Sequence, residues 1–406
     1  MEETRPLKLY FIHFLAAGHM IPLCDIATLF ASHGHHVTII TTPSNALTLR
    51  KSIPSHPFLR FHTVPFPSQE VGLPDGIENI SFITDPDHLG KVFNATTMLQ
   101  TPIQNFVEEN PPDCIVADFL FPWVDDLANN LKIPRLAFNG FSLFTICALH
   151  SSSNSSNSLL CPTLPHPITL NASPPKELTE FLDKMMETEL RSYGLIVNNF
   201  AELDGEEYIQ YYEKTTGHKA WHLGPASLIP RTPEEKAERG MKSVVSMHEC
   251  LSWLDSKAKN SVVGWAPQLV ILNHRAVGAF LSHCGWNSTV EAVSGGVPMI
   301  TWPVHGEQFY NEKLISEVRG IGVEVGAAEW SSIGFGEREM LVCRESIERG
   351  VRRIMDGGDE AQEVRRRAQE FGEKAREAVG EGGSSHKNLT ALIHDLMRLR
   401  DAKLLS

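Results

Sequence analysis

Between Trp265 and Gln308 the chain reads WAPQLVILNHRAVGAFLSHCGWNSTVEAVSGGVPMITWPVHGEQ, which sets an indole, an imidazole, amide and hydroxyl side chains and two carboxylates in an order that suits a nucleotide-bearing ligand. Trp265, Ala266 and Gln268 open the stretch, and His283 follows an apolar run that reads as a buried strand. Gly285, Trp286, Asn287 and Ser288 then turn into a helix, Glu291 lies one turn inside it, and Glu307 and Gln308 follow a second apolar strand. A strand that feeds such a turn and then a helix N-terminus makes an anion site, because unpaired backbone N–H groups and the helix dipole point at the ligand. A flat aromatic face stacks on a base, and a carboxylate, which only accepts hydrogen bonds, suits a diol. Taken singly, each of these residues reads as well as a core or surface group of a strand pair; the ordered set is what points to a ligand.

A second set of reactive groups lies near the N-terminus. Leu7 to Phe14 reads as a buried parallel strand, Leu15 to Ile21 as a loop, Pro22 to His33 as a helix and His36 to Thr42 as the next strand, which together make a βαβ unit. His19 then falls in the loop at the strand's carboxyl end, just before a helix N-terminus, and Gly18 beside it permits close backbone approach. The apolar run Asp113 to Phe119 carries a carboxylate, Asp118, to the same edge, where open α/β sheets bind their ligands. His19 is the candidate general base. His13, inside the first strand, reads as a satisfied core residue, and His33, His35 and His36 gather at a helix end whose dipole favours them.

The 265–308 stretch resembles the donor-binding signature of the plant UDP-sugar-dependent glycosyltransferases of secondary metabolism. The segments LKLYFIHFLAAGHMIPLCDIA and LIVNNFAELDGEEY extend the resemblance over nearly the whole chain, nearest to legume members acting on triterpenoid sapogenins or isoflavonoids. The resemblance implies an α/β fold of two Rossmann-like domains, the GT-B arrangement: an acceptor domain over 1–230, a linker over 231–248, a donor domain over 249–380 and a helix over 381–406 returning to the first domain. It implies that Trp265 stacks on uracil with Ala266 and Gln268 beside it, that His283, Asn287 and Ser288 hold the phosphates next to Gly285, and that Glu291 accepts from the ribose. Trp286 and Glu307 would face the sugar, Gln308 would bond its hydroxyls and favour glucose over galactose, and His19 with Asp118 would form the catalytic dyad. The implied reaction is inverting transfer of glucose from UDP-glucose, a co-substrate with no metal and no cofactor, to a hydroxyl of a small hydrophobic aglycone.

The elements that must position these groups fit in 406 residues, enough for two domains with full cores. A net charge of −13 excludes nucleic acid or an anionic membrane surface as the main partner. No stretch reads as a signal peptide or a membrane span, so a cytosolic monomer is expected. The seven cysteines form no CxxC and no histidines show HxH or HExxH spacing, so neither disulfides nor a metal site is expected. No GxGxxG follows the first strand, which argues against a nicotinamide dehydrogenase.

One feature departs from the resemblance. A full donor domain begins with two strand–helix units, yet only eight residues separate Ser256 from Trp265, so about 60 residues are absent by the size of a βαβ unit. Parallel strands left with open edges and uncovered faces predict a poorly stable second domain and little transfer. The alternative reading is a non-catalytic homologue that binds an aglycone or a partner without turning over donor.

Overall fold

The computed structural model describes residues 5–153, 160–170, 175–237, 239, 247–256, 268–330 and 342–404. The first domain is built on a seven-stranded sheet in the order β3-β2-β1-β4-β5-β8-β9. Its strands are β1 (Lys8–Ile12), β2 (His36–Thr41), β3 (Leu59–Thr63), β4 (Cys114–Asp118), β5 (Arg135–Asn139), β8 (Gly194–Val197) and β9 (Ala220–His222); β6 (Leu160–Cys161) and β7 (Ile168–Thr169) form a separate short hairpin. All the pairings in the large sheet are parallel, with Phe11 opposite Ile39 on one side and Val116 on the other. A parallel sheet needs both faces covered, and β4 and β5 are accordingly buried along their whole length. The strand order reverses between β1 and β4, so a crevice opens at their carboxyl ends. The chain leaving β1 runs to His19 and β4 ends in Asp118.

The helix after β1 spans Ala17–Ser32 rather than starting at Pro22, so His19 lies in its first turn and not in a loop before it. Pro22, which reads as a helix start in sequence, is instead an interior residue of that helix. Met20, Leu23, Ile26, Ala27 and Phe30 pack from it onto Leu9, Phe11 and Val37 of the sheet. The terminal helix, Ser384–Leu404, joins the same core through Leu389, Leu392, Ile393 and Leu396.

The second sheet has three strands in the order β10 (Phe280–Ser282), β11 (Met299–Thr301) and β12 (Gly322–Glu324), all parallel. Helix Trp286–Gly295 follows β10 and helix Gln308–Lys313 precedes β12. The long helix Asp359–Val379 crosses Trp286–Gly295 closely, because a Cβ on Gly372 would stand 2.9 Å from the Gly296 backbone. The apolar side chains of this half do not form a core of their own. Trp286, Val290, Met299, Phe309 and Val323 belong to one cluster with Ala137, Phe144, Leu195 and Tyr208 of the first domain. The two cores anticipated from length are thus partly one, because helix Gln308–Lys313 packs on helix Leu143–Ser153 and helix Asp359–Val379 on helix Ala201–Asp204 across the boundary.

A buried ion pair braces β5 beneath the crevice. Arg135 Nη1 donates to Asp125 Oδ1 and to Ser192 Oγ, each at 2.8 Å, and Nη2 donates to the Asp118 carbonyl at 3.2 Å. Burial draws the Arg135 guanidinium below its usual range, with Asp125 holding against that effect. Arg135→Met leaves the buried Asp125 with only the longer contacts to Arg191 at 3.8 Å and Ser192 Oγ at 3.5 Å, and is expected to lower stability by up to about 3–5 kcal/mol, the usual result of breaking a buried pair from one side. Urea denaturation measures this, and an unchanged midpoint with an unchanged slope contradicts it.

Candidate active site

His19 and Asp118 meet at the reversal point of the first sheet. His19 Nδ1 lies 2.8 Å from Asp118 Oδ2, with the imidazole 20% exposed and the carboxylate fully buried. Asp118 Oδ1 accepts from the Leu120 N–H at 3.0 Å, which fixes the carboxylate. With Nδ1–H donating to Asp118, Nε2 is the basic nitrogen. Burial by itself would lower the His19 pKa; the Asp118 charge, its hydrogen bond and the Glu307 charge outweigh it and hold the imidazole above its ordinary 6.5. Aromatic rings enclose the site, with Phe14 edge-on to the imidazole at 5.5 Å, Phe119 stacked at 6.1 Å, and Phe93, Phe121 and Phe141 beyond them. Gly140 lies beneath the ring, where an added Cβ would sit 3.6 Å from Nδ1. His13, by contrast, is a core residue, held by the Phe14 carbonyl and Thr41 Oγ1 and pushed by burial down to about 4.

The donor-side residues gather around the turn after β10. Cys284 holds a φ of 66°, a left-handed conformation that side chains adopt at some cost. Asn311 supports it by donating Nδ2 to the Cys284 carbonyl at 2.9 Å, while Ser142 and Thr145 of the first domain donate to Asn311 Oδ1 at 3.0 and 2.9 Å. A Cβ on Gly285 would collide with His283 Nε2, so only glycine lets that imidazole lie over the turn. Burial, and then the His305 charge, lower the His283 pKa, which favours the neutral ring.

Most of the other nominated side chains have protein partners. Trp286 is buried and its indole N–H donates to the Asn198 carbonyl at 3.0 Å across the domain boundary. Asn287 Nδ2 donates to the Gly18 carbonyl at 2.6 Å, next to His19 in sequence, and its Oδ1 accepts from Asn198 Nδ2 at 3.4 Å. Gln268 Nε2 donates to Ser288 Oγ at 3.1 Å and to Glu291 Oε2 at 2.7 Å, while Glu291 Oε1 is paired with Arg239. Arg239 also bonds Asp25, which pairs with Arg231 as well. Glu307 is raised above its usual carboxyl range by burial, against hydrogen bonds from its own N–H and that of Trp286 and the attraction of His19. Gln308 is buried, its Oε1 accepting from the Val304 and His305 N–H groups at 2.9 and 3.0 Å. Trp265 and Ala266 lie outside the described residues. Among the described residues no three His, Cys, Asp or Glu side chains come together as they would around a metal ion, and no helix is long and apolar enough to cross a membrane.

Sequence reasoning missed Asn198, Asn311, Arg239 and the part played by Pro22. Asn198 follows β8 directly, so its place at the sheet's carboxyl edge was the available signal; Arg239 and Asn311 carried none, since their partners lie 52 or more and 27 or more residues away.

Two sheets that meet across a crevice, each presenting the carboxyl ends of parallel strands to it, define the GT-B class of sugar-nucleotide transferases. A family model described as UDP-glucoronosyl and UDP-glucosyl transferase matches residues 248–343. The chain is 40% identical to UDP-glucosyl transferase 73CC6 of Saponaria officinalis over 98% of both chains, and 41% identical to UDP-glucose flavonoid 3-O-glucosyltransferase 7 of Fragaria ananassa over 97% of both. The crystal structure of UGT73P12 from Glycyrrhiza uralensis, complexed with glycyrrhetinic acid 3-O-monoglucuronide, superposes with a TM-score of 0.89 at 33% identity, covering 98% of this chain and 97% of that one. The chain belongs to the plant family 1 UDP-glycosyltransferases. Its alignment to the Saponaria protein runs over 486 positions against 406 residues here, so at least 80 positions (486 − 406) inside that span have no residue in this chain.

Because Asp118 is the main group raising the His19 pKa, Asp118→Asn is expected to bring the imidazole midpoint down, whereas the parent titrates above 6.5. The pair's contribution to stability is complete below 6.5 and is lost as pH rises through the folded value. NMR titration of the ring protons tests this; a parent midpoint at or below 6.5 contradicts it.

Proposed function

We propose that this chain transfers glucose from UDP-glucose, with inversion at the anomeric carbon, to a hydroxyl of a small apolar plant aglycone such as a triterpenoid sapogenin or an isoflavonoid. One observation carries the reading: an Asp118-oriented imidazole, at 2.8 Å, stands in a helical turn whose Gly18 carbonyl is bonded to Asn287 of the turn after β10. His19 Nε2 takes the proton from the acceptor hydroxyl as that oxygen bonds to the anomeric carbon. The bond from that carbon to the diphosphate oxygen breaks, and UDP leaves toward the N-terminus of helix Trp286–Gly295, where backbone N–H groups and the dipole meet its charge. Asp118 stabilises the imidazolium that forms. The rings of Phe14, Phe119 and Phe141 favour an apolar acceptor.

In this reading the acceptor domain covers about 1–230 and the donor domain 249–380, joined by 231–248. His283, Asn287 and Ser288 meet the diphosphate, Trp265 with Ala266 and Gln268 takes the base, and Glu291 the ribose diol. The buried indole of Trp286 serves as an interdomain anchor through its N–H to the Asn198 carbonyl, while the Trp286 backbone N–H bonds Glu307 and orients that carboxylate beside the sugar. Gln308, whose Nε2 lies 3.4 Å from His305 Nδ1, meets the sugar through the second hydrogen of that amide and sets the preference for glucose. The 80 or more unmatched positions support a weak donor grip and slow turnover, since each missing charged hydrogen bond costs about 1.5–3 kcal/mol.

Incubation of the pure protein with UDP-glucose and an aglycone panel, read by mass spectrometry, tests the proposal. Glycoside formation that His19→Ala lowers by about 10²–10⁴-fold supports it, a variant retaining a tenth of the parent rate removes His19 as base, and no glycoside from the parent leaves the non-catalytic homologue. Arg239 on Glu291 competes with the ribose in this scheme. Arg239→Ala is therefore expected to tighten UDP binding in calorimetry, with Asp25 still paired to Arg231; weaker binding would remove Glu291 as the ribose acceptor.

A further inference from the structure

The geometry points to Pro22 as a positioning residue: by withholding an N–H inside the first helix it leaves the Gly18 carbonyl open, and Asn287 of the second domain takes that carbonyl and so sets the distance between the donor turn and His19. In an α-helix the N–H of residue 22 donates to the carbonyl of residue 18. The Met20 N–H to Ala16 carbonyl bond at 2.8 Å starts that ladder here. Pro22 has no N–H, and its ring crowds the carbonyl four residues back and tilts it outward. The Gly18 carbonyl is then bonded by Asn287 Nδ2 at 2.6 Å, a partner 269 residues away in sequence. Asn198, at the end of β8, steadies the other end of that amide at 3.4 Å, and its own carbonyl holds the neighbouring Trp286 indole at 3.0 Å.

Two features make this more than a stray interface contact. The acceptor atom adjoins the proposed base in sequence, and the donor atom is in the turn that would meet the diphosphate. A proline at a buried interior position of a helix weakens that helix. The arrangement therefore has a cost in the local fold that the contact with the other domain offsets.

The inference rests on the proposed transfer reaction, and transfer by the parent enzyme is measured first: no glycoside from the parent would overturn the functional reading, and with it this role. With an active parent, Pro22→Ala supplies the missing N–H, which competes with Asn287 for the Gly18 carbonyl. The expected result has opposite signs. Melting temperature stays equal or rises, while kcat falls about tenfold or more, since small displacements of reacting groups are costly, and the donor KM moves less than kcat. In a double-mutant cycle with Asn287→Ala the effects on kcat should not add, the double variant matching Asn287→Ala within about twofold, because both act on one contact. Parental kcat in Pro22→Ala, or additive losses in the cycle, overturns the role. If Pro22→Ala does not fold, Pro22→Gly restores the N–H without a side chain to pack, and failure of both variants to fold makes Pro22 a packing residue and overturns the role equally.

Discussion

The proposed reaction depends on holding two sheets with their carboxyl edges face to face at a fixed separation, and the contacts that hold them are polar: those of Trp286 and Asn311 are buried, and that of Asn287 with Gly18 is open to solvent. Asn287 reaches the Gly18 carbonyl, Trp286 reaches the Asn198 carbonyl, and Asn311 takes hydrogen bonds from Ser142 and Thr145. Apolar packing alone supplies adhesion but is non-directional and tolerates sliding. An unmatched buried amide or carbonyl costs about 1–3 kcal/mol, so the buried bonds of Trp286 and Asn311 each penalise a slipped arrangement by roughly that amount. Trp286 and Asn287 open the helix Trp286–Gly295, and Gly18 lies in the first turn of the helix Ala17–Ser32, which ties the register of the domains to the site itself.

Electrostatics is handled locally. The chain carries a net charge of −13 and its proposed ligand is an anion, so the field of the whole molecule works against binding. What favours it is confined to the helix N-terminus after Gly285, with a His283 that burial keeps toward neutrality. Near His19 the logic inverts: the carboxylates of Asp118 and Glu307 raise a base that must collect a proton, at a place that burial alone would have made less basic.

That His19 and Asp118 share the carboxyl edge of the sheet was legible from apolar runs of the right length, while their pairing came from the family pattern of the GH and IVADF segments. The helix boundary beside it was misplaced for a definite reason. Pro22 is a helix-start signal when the ladder is assumed continuous, whereas here the N-terminal turn begins at Ala17 and the interrupted ladder is compensated from the other domain. The donor turn was also legible, down to its Gly285 hinge, but the occupation of its side chains was not. Gln308 curls back onto the Val304 and His305 N–H groups through a local turn, while Glu291 pairs with an arginine from the linker, and no periodicity in the sequence encodes a contact of that range.

The helices around the short second sheet explain why its core and that of its neighbour run together. Helix Arg344–Met355 packs on β11 and β12, while helix Gln308–Lys313 lies against helix Leu143–Ser153 of the first domain and helix Asp359–Val379 against helix Ala201–Asp204. A large aromatic such as Trp286, in one cluster with Phe144, Leu195 and Tyr208, contributes about 1.5–3 kcal/mol when it is taken out of water there. Separating the domains would return those faces to solvent and strand the amides that cross between them. A sheet of this size therefore derives its order from the first domain, and whatever loosens the crevice loosens the donor turn with it. Separation of the domains and loosening of the turn after β10 are for that reason coupled, through Asn287 and Asn311.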